Sequence, residues 1–197
     1  MGAHAQRPRS PSPPRLHDDV RTSASLFAAG CSVLLTALCF GLAVLLMAVL
    51  RYDGAFLGAG PDGLCLGAHA CSSAGAVHLS LLSSGQRAAI ATALVLSGAP
   101  ALMILAHLRG LFRLYAAGIV FAGDNIAQIS RAGSWLLVYS AAPFLTHWLL
   151  DAYAIFPGQS WFHPDEAAAA IIGLSLLLVA RVIAAGHEIE QRRDLFI

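Results

Sequence analysis

The chain carries a long apolar stretch near its start, TSASLFAAGCSVLLTALCFGLAVLLMAVL at residues 22–50, with no charged residue in it. A helix needs about 20 mainly apolar residues to cross the hydrocarbon core of a bilayer, so this stretch is long enough. Uncharged stretches of similar character follow at 88–108 and 132–150. The fourth, 167–180, reaches spanning length if Arg181 extends its side chain to the interface. The sequence therefore predicts four transmembrane helices, at about 24–50, 88–108, 132–156 and 165–186.

The composition also indicates a membrane protein. Of the 197 residues, 57% are hydrophobic and only 12% are charged, whereas soluble domains carry about 25% charged residues. The net charge of +1 lacks the basic excess of nucleic-acid-binding proteins, so we expect no direct nucleic-acid binding. All twelve basic residues are arginine, which we interpret as the mark of a GC-rich bacterial genome rather than of a function.

Arginines flank the predicted helices unevenly, and this predicts the orientation. Two of them, Arg51 and Arg87, lie in the segments on one side. The other side holds nine: Arg7, Arg9, Arg15, Arg21, Arg109, Arg113, Arg131, Arg192 and Arg193. Since basic residues concentrate in cytoplasmic segments, we expect both termini in the cytoplasm. The prediction is an all-α, four-helix bundle of the bacterial inner membrane at 24–197, preceded by a disordered tail at 1–23 rich in Arg, Pro and Ser.

Two cysteines, Cys65 and Cys71, lie in the predicted outer loop at 51–86. Outside the cytoplasm such a pair can oxidise to a disulfide that joins parts of a loop. A structural disulfide, two free thiols and a redox-active pair are the alternatives. Four-helix membrane thiol oxidoreductases carry a Cys-x-x-Cys motif, which this chain lacks, and no group that lowers a thiol pKa is evident.

His147 and Asp151 lie four residues apart, hence on one face of the third predicted helix. Ionisable groups within a span are hypotheses of function, here metal binding or proton coupling. The alternative is packing of polar side chains inside the bundle. Further histidines are predicted on the outer side but form no compact ligand motif: His69, His78 and His163.

Motifs of catalysis and cofactor binding are missing from the sequence. It has no Walker loop, no Gly-x-Ser-x-Gly and no His-Glu-x-x-His. A bis-histidine haem is disfavoured because His107 and His187 lie at the cytoplasmic ends of their predicted helices and His147 near the opposite end. We therefore expect no enzymatic activity and no cofactor.

Two cytoplasmic segments, LYAAGIVFAGDNIAQISRAG at 114–133 and ARVIAAGHEIEQRRDLFI at 180–197, resemble a known family. It comprises small four-helix bacterial membrane proteins, the domain-of-unknown-function 2975 family. The matching pattern before the third helix is Gly-x-x-Phe-x-x-x-Asn, and the family's C-terminal stub is acid-rich and ends in apolar residues. In this sequence the matching residues are Gly118, Phe121, Asn125, Gly186, Ile189, Glu190, Asp194, Leu195 and Ile197.

The resemblance implies a non-enzymatic membrane protein whose partner is a cytoplasmic helix-turn-helix regulator. Residues of both motifs are then the candidate partner-binding residues: Gly118, Phe121, Asn125, Gly186, Glu190, Asp194, Leu195 and Ile197. The leading prediction is a regulatory protein that presents its cytoplasmic hairpin and C-terminal stub to a protein partner. Two alternatives remain. In the first, the charged side chains of the hairpin and the stub only close the cytoplasmic side of the bundle. In the second, the protein uses its outer Cys and His residues in redox or metal chemistry.

Overall fold

A computed structural model describes residues 15–54, 57–60, 63–66, 77–119, 123–155 and 164–194. These residues form four helices: α1 (Arg15–Arg51), α2 (Ser84–Ala116), α3 (Gly123–Ala152) and α4 (Pro164–Asp194). Three short strands, β1 (Leu57–Gly60), β2 (Gly63–Leu66) and β3 (Val77–His78), lie between α1 and α2. The predicted helical fold with four long helices is confirmed.

Three stretches of helix among the described residues are long and apolar enough to cross a membrane. They are Arg21–Arg51 in α1, Ser84–Ala116 in α2 and Pro164–Gly186 in α4. Helix α3 has 30 residues and so is long enough as well. Its apolar residues are interrupted by Tyr139, Pro143 and His147, among others, which lowers its mean hydropathy. The three apolar helices indicate a membrane protein.

The helices pack in the order in which they follow each other along the chain. Helix α1 packs along α2, α2 along α3, and α3 along α4; among the described residues no other helix pair packs along its length. The helices therefore form an open row, which corrects the predicted bundle. In water, the row would leave costly apolar faces on its two outer helices, such as Phe40 at 72% exposure and Leu178 at 65%. In lipid these faces need no protein partner, because acyl chains are as apolar as leucine.

Helix α1 begins at Arg15, so residues 15–23 are helical and do not belong to the predicted tail. Extending an existing helix by one residue is much easier than nucleating a new one. No proline lies between Arg15 and the apolar stretch, so the helix can propagate back over these residues. The rest of the predicted tail lies outside the described residues.

The segment between α1 and α2 contains a small antiparallel sheet that the sequence analysis missed. Strand β1 lies in the middle, paired with β2 on one side and β3 on the other. In the first pair Gly60 faces Gly63, which leaves Pro61 and Asp62 as the connecting residues. Pro-Asp-Gly is a turn signal between strands. The main hydrophobic cluster lies close by and includes Val49, Leu79, Leu82, Ile90 and Ile155; we call this end of the molecule the sheet end.

Two local interactions hold the start of α2. Ser83 and Gln86 form a capping box, in which each side chain bonds the backbone N–H of the other residue. The helix thus begins before residue 88, the predicted start. Arg87 of α2 forms a 2.8 Å ion pair with Asp53, just beyond the end of α1, so the two helices are joined at the sheet end.

Helices α3 and α4 are antiparallel and touch at two glycines. A Cβ placed on Gly173 would lie 2.9 Å from the carbonyl oxygen of Gly133, so the two backbones are in direct contact. Small residues allow this close approach, as in many helix pairs within membranes. The contact also sets the register. Residues of α4 beyond Ile183 extend past Gly123, the first residue of α3.

Candidate functional site

A glycine ends α2 and starts the link to α3. Gly118 has a φ of +80°, which is the left-handed conformation that glycine adopts without strain. The N–H of Gly118 donates to the carbonyl of Tyr115, and the N–H of Ile119 donates to the carbonyl of Leu114, both at 3.0 Å. This is a Schellman motif, in which a left-handed glycine terminates the helix.

Asn125 anchors the other side of the link. Its side chain is only 3% exposed, and its Nδ2 donates to the carbonyl oxygen of Ile119 at 2.8 Å. Asn125 does not cap α3, because the helix already begins at Gly123. Asn125 instead lies in the first turn and bonds back to the link. It therefore fixes the angle at which the chain enters α3.

Gln128 joins α3 to α2 one turn further on. Its Oε1 lies 2.9 Å from the Nδ1 of His107. Its side chain also lies against Gly110, where a Cβ would come within 3.2 Å of it. The side chain of Gln128 thus reaches across to the facing helix.

An open cleft of about 450 Å³ lies between α2 and α3, beside these contacts. Its lining consists of Gly110, Arg113 and Leu114 from α2 and Asp124, Ala127, Gln128 and Arg131 from α3. The residues from α3 recur at helical spacing and thus form one face of that helix. The cleft brings together arginines that are 18 positions apart in the sequence, Arg113 and Arg131.

The arginines of the cleft are not paired with any acidic side chain that the structure describes. Among the residues with described side chains (21–54, 78–119, 123–155 and 164–186), Arg113 and Arg131 form no ion pair, even though Asp124 lines the same cleft. Arg109, one turn before Arg113, has a buried Nε with no hydrogen-bond partner among the same residues. The guanidinium groups are therefore open to an anion other than these side chains.

Helix α1 contributes a fourth arginine at this end. The Nε of Arg21 donates to the carbonyl oxygen of Ala116 at 3.2 Å, and a cation is favourable at the C-terminus of a helix. Phe27 of α1 stacks on Phe112 of α2, with 5.3 Å between the ring centroids. We call this the arginine-rich end; its described members are Arg21, Arg109, Arg113 and Arg131.

The C-terminal part of α4 reaches the same end. Because the register carries α4 past Gly123, the backbone at Glu190 and Asp194 lies beyond the start of α3. Gly186 is exposed, with nothing within 4 Å of a Cβ placed on it. Three of the predicted partner-binding residues, Phe121, Leu195 and Ile197, lie outside the described residues.

The predicted outer cysteine pair is only partly described. Cys65 belongs to β2 and faces Gly58 of β1. Cys71 lies outside the described residues, so the disulfide stays a prediction. Cys31 and Cys39 are free thiols on α1, the first half-buried and the second exposed.

His147 and Asp151 are not brought together as a site. His147 is half-buried, Asp151 is exposed, and no ion pair joins them in the described residues. The described part of the chain also contains no group of three or more potential metal ligands. Of the other predicted outer histidines, His69 and His163 fall outside this part. The geometry gives the metal hypothesis no support.

The cleft was not predicted from the sequence. Arg109, Arg113 and Arg131 served there only to predict the orientation. The sequence does contain a pattern that could have indicated the cleft. It is a pair of helix faces, one on α2 with Gly110 and Arg113 and the other on α3.

Comparison of the chain with protein-family models, curated proteins and solved structures finds no match. The resemblance of residues 114–133 and 180–197 to a family of small four-helix membrane proteins stays a prediction.

Proposed function

We propose that the chain is a non-enzymatic, four-span protein of the bacterial inner membrane that docks a cytoplasmic protein at its arginine-rich end. The docking surface comprises the α2–α3 hairpin and the C-terminal part of α4. A regulator that binds nucleic acid elsewhere is a suitable partner, and the chain itself contacts no nucleic acid. The observation that carries the proposal is the cleft between α2 and α3, whose arginines form no ion pair with any side chain that the structure describes.

The position of α3 in the row supports a fourth span. Helix α3 packs along α2 on one side and α4 on the other, and both neighbours are long and apolar enough to cross a membrane. A helix that runs alongside two spanning helices lies at their depth. Within α3, the stretch from Ala132 to Leu150 carries no Asp, Glu, Lys or Arg, the residues that cost most to insert.

The gathering of the arginines supports the orientation. Arg21, Arg113 and Arg131 come from three different helices and lie at one end of the row. The opposite end holds Arg51 and the ion-paired Arg87. The positive-inside rule then assigns the arginine-rich end to the cytoplasm.

The orientation is tested by labelling single cysteines with a membrane-impermeant maleimide. In a variant with all four native cysteines replaced by serine, a cysteine is placed at Ala117, exposed after α2, or at Ser80, exposed at the sheet end. We expect the Ser80→Cys protein to react in intact cells and the Ala117→Cys protein to react only in inverted vesicles. The reverse pattern contradicts the orientation, and reaction of both on one side contradicts a membrane crossing by α2.

The partner is tested by photo-cross-linking. A benzoylphenylalanine at Ala117 captures proteins that touch the hairpin, and the same residue at Ser80 is the control. A protein captured only at Ala117 is then purified and its affinity measured for the full chain, for Arg113→Gln/Arg131→Gln, and for Arg51→Gln.

We expect binding by the full chain and by Arg51→Gln, and a loss of binding in the double variant. A chain truncated after Ala185 shows whether the C-terminal part of α4 contributes. Equal affinity for all variants contradicts the proposed surface.

A further inference from the structure

We infer that the cleft between α2 and α3 binds a phosphate-group anion through Arg113 and Arg131. The inference concerns the surface of the proposed docking function but requires no protein partner. The lining of the cleft has more hydrogen-bond donors than acceptors. Two guanidinium groups line it, neither forms an ion pair with a side chain described at 21–54, 78–119, 123–155 or 164–186, and each offers up to five N–H donors. Arginine matches the geometry of phosphate oxygens with paired hydrogen bonds.

The net charge of the lining favours a singly charged ligand. Arg113 and Arg131 contribute two positive charges, and Asp124 contributes one negative charge. The lining thus carries a net charge of +1, which balances a phosphodiester better than a doubly charged phosphate monoester. The carboxylate of Asp124 can in addition accept a hydrogen bond from a hydroxyl group next to the phosphate.

The size and the walls of the cleft suit a small headgroup. Its volume of about 450 Å³ falls within the range of roughly 300–1,000 Å³ usual for small-molecule sites. Leu114 and Ala127 give the lining an apolar part that can contact a glycerol backbone. Gln128 is held by His107 and by its contact with Gly110, so this wall needs little reordering on binding.

The position along α2 points to a lipid as the source of the phosphate. The uncharged stretch of α2 ends at Leu108, and the arginines follow at once: Arg109 and then Arg113. In a spanning helix this is the depth at which the hydrocarbon core gives way to headgroups. The buried Nε of Arg109, which has no acceptor among the atoms that the structure describes, fits the same location.

The test measures ligand binding to the purified full chain in a neutral detergent, where orientation in a membrane plays no part. The probes are dioctanoyl phosphatidylglycerol, dioctanoylglycerol without the phosphate, and inorganic phosphate. Binding is read by native mass spectrometry and by the shift of the thermal unfolding midpoint. The variants are Arg113→Gln/Arg131→Gln and, as a control with equal loss of charge, Arg51→Gln/Arg181→Gln. Both control arginines are exposed and lie outside the cleft.

We expect the phospholipid to bind the full chain and the control, and to bind the cleft variant at least roughly tenfold more weakly, because that variant loses charge-assisted hydrogen bonds to the phosphate. A folding defect is recognised by circular dichroism, and Arg113→Lys/Arg131→Lys, which keeps the charge, should retain part of the affinity. Binding of inorganic phosphate as tight as that of the lipid supports the phosphate site with a soluble source. Equal affinity of the cleft variant and the control for the lipid overturns the inference.

The test of lipid binding and the test of partner binding can give different results for the cleft variant. If the cleft variant loses the lipid but keeps the captured protein partner, the anion site stands and docking through these arginines fails. If it loses the partner while lipid binding is unchanged, docking stands and the anion site fails.

Discussion

Replacing Gly173 with alanine should force α3 and α4 apart, and the contact distances allow an estimate of the cost. The new methyl group would lie 2.9 Å from the carbonyl oxygen of Gly133, 3.1 Å from the Cβ of Leu136 and 3.3 Å from the Cδ2 of Leu137. Only the last of these atoms sits at the flexible end of a side chain. Since carbon atoms pack best at about 3.5–4.0 Å, the backbones must separate by roughly 0.5 Å.

The magnitude follows from two opposing terms. Forcing an extra methyl group into a packed contact costs typically about 1–3 kcal/mol. Alanine is a better helix former than glycine, which returns up to about 1 kcal/mol. The net expectation is a loss of about 1–2 kcal/mol in the free energy of unfolding. Gly41→Ala is the matched control, because a Cβ on Gly41 in α1 meets nothing within 4 Å.

The assay is unfolding of the purified protein in neutral detergent by increasing dodecyl sulfate, followed by helical circular dichroism and by tryptophan fluorescence. Trp135, two residues from Gly133 in α3, contributes to the fluorescence signal. We expect Gly173→Ala to unfold at a lower dodecyl sulfate fraction than the unmodified chain, and Gly41→Ala at the same or a higher fraction. If the two variants unfold together, the close contact of the glycine backbones does not limit stability and the reasoning is refuted.

Three further changes can be followed in the same unfolding assay. Ala154 and Gly118 both have a left-handed backbone conformation, which glycine adopts without strain. Ala154→Gly should therefore stabilise the protein by roughly 0.5–1 kcal/mol, and Gly118→Ala should destabilise it by about 1 kcal/mol. A change of stability in the same direction for both variants would contradict these two backbone conformations. Asn125→Ala removes a buried hydrogen bond and should cost about 1–2 kcal/mol, whereas no loss would show that the link needs no anchor. Asp53→Asn breaks an ion pair whose carboxylate is 83% exposed and should lower the free energy of unfolding by less than about 1 kcal/mol. A larger loss would contradict the view that solvent screens this ion pair.

The helices were predictable because the length of each apolar stretch can be read from its own segment of the sequence. Residues 88–108 and 165–186 were assigned from local composition alone, and both lie within the helices found. The ends were less predictable, since they depend on local hydrogen bonds. The capping box of Ser83 and Gln86 starts α2 before residue 88, and its signal was present in the sequence but unused.

The arrangement of the helices was not predictable in the same way. Hydrophobic residues in a soluble protein must face one another, and this requirement couples the pattern of each helix to the fold. Lipid removes the requirement, so Phe40 and Leu178 carry no information about which helices are neighbours. The informative residues are the small ones, Gly133 and Gly173, but a chain with 18 glycines offers many such pairs.

The arginines allowed a prediction of the orientation in the membrane but no prediction of the cleft. Orientation depends only on which side of the membrane a basic residue lies, so Arg7 or Arg9 would serve it as well as Arg113. It does not require that Arg113 and Arg131 line one cavity, nor that Gln128 be held beside them by His107 and Gly110. That convergence depends on the register of α2 against α3, which no single segment of sequence contains. A role in orientation therefore accounts for the side on which these arginines lie, and a ligand accounts for their meeting in one cleft.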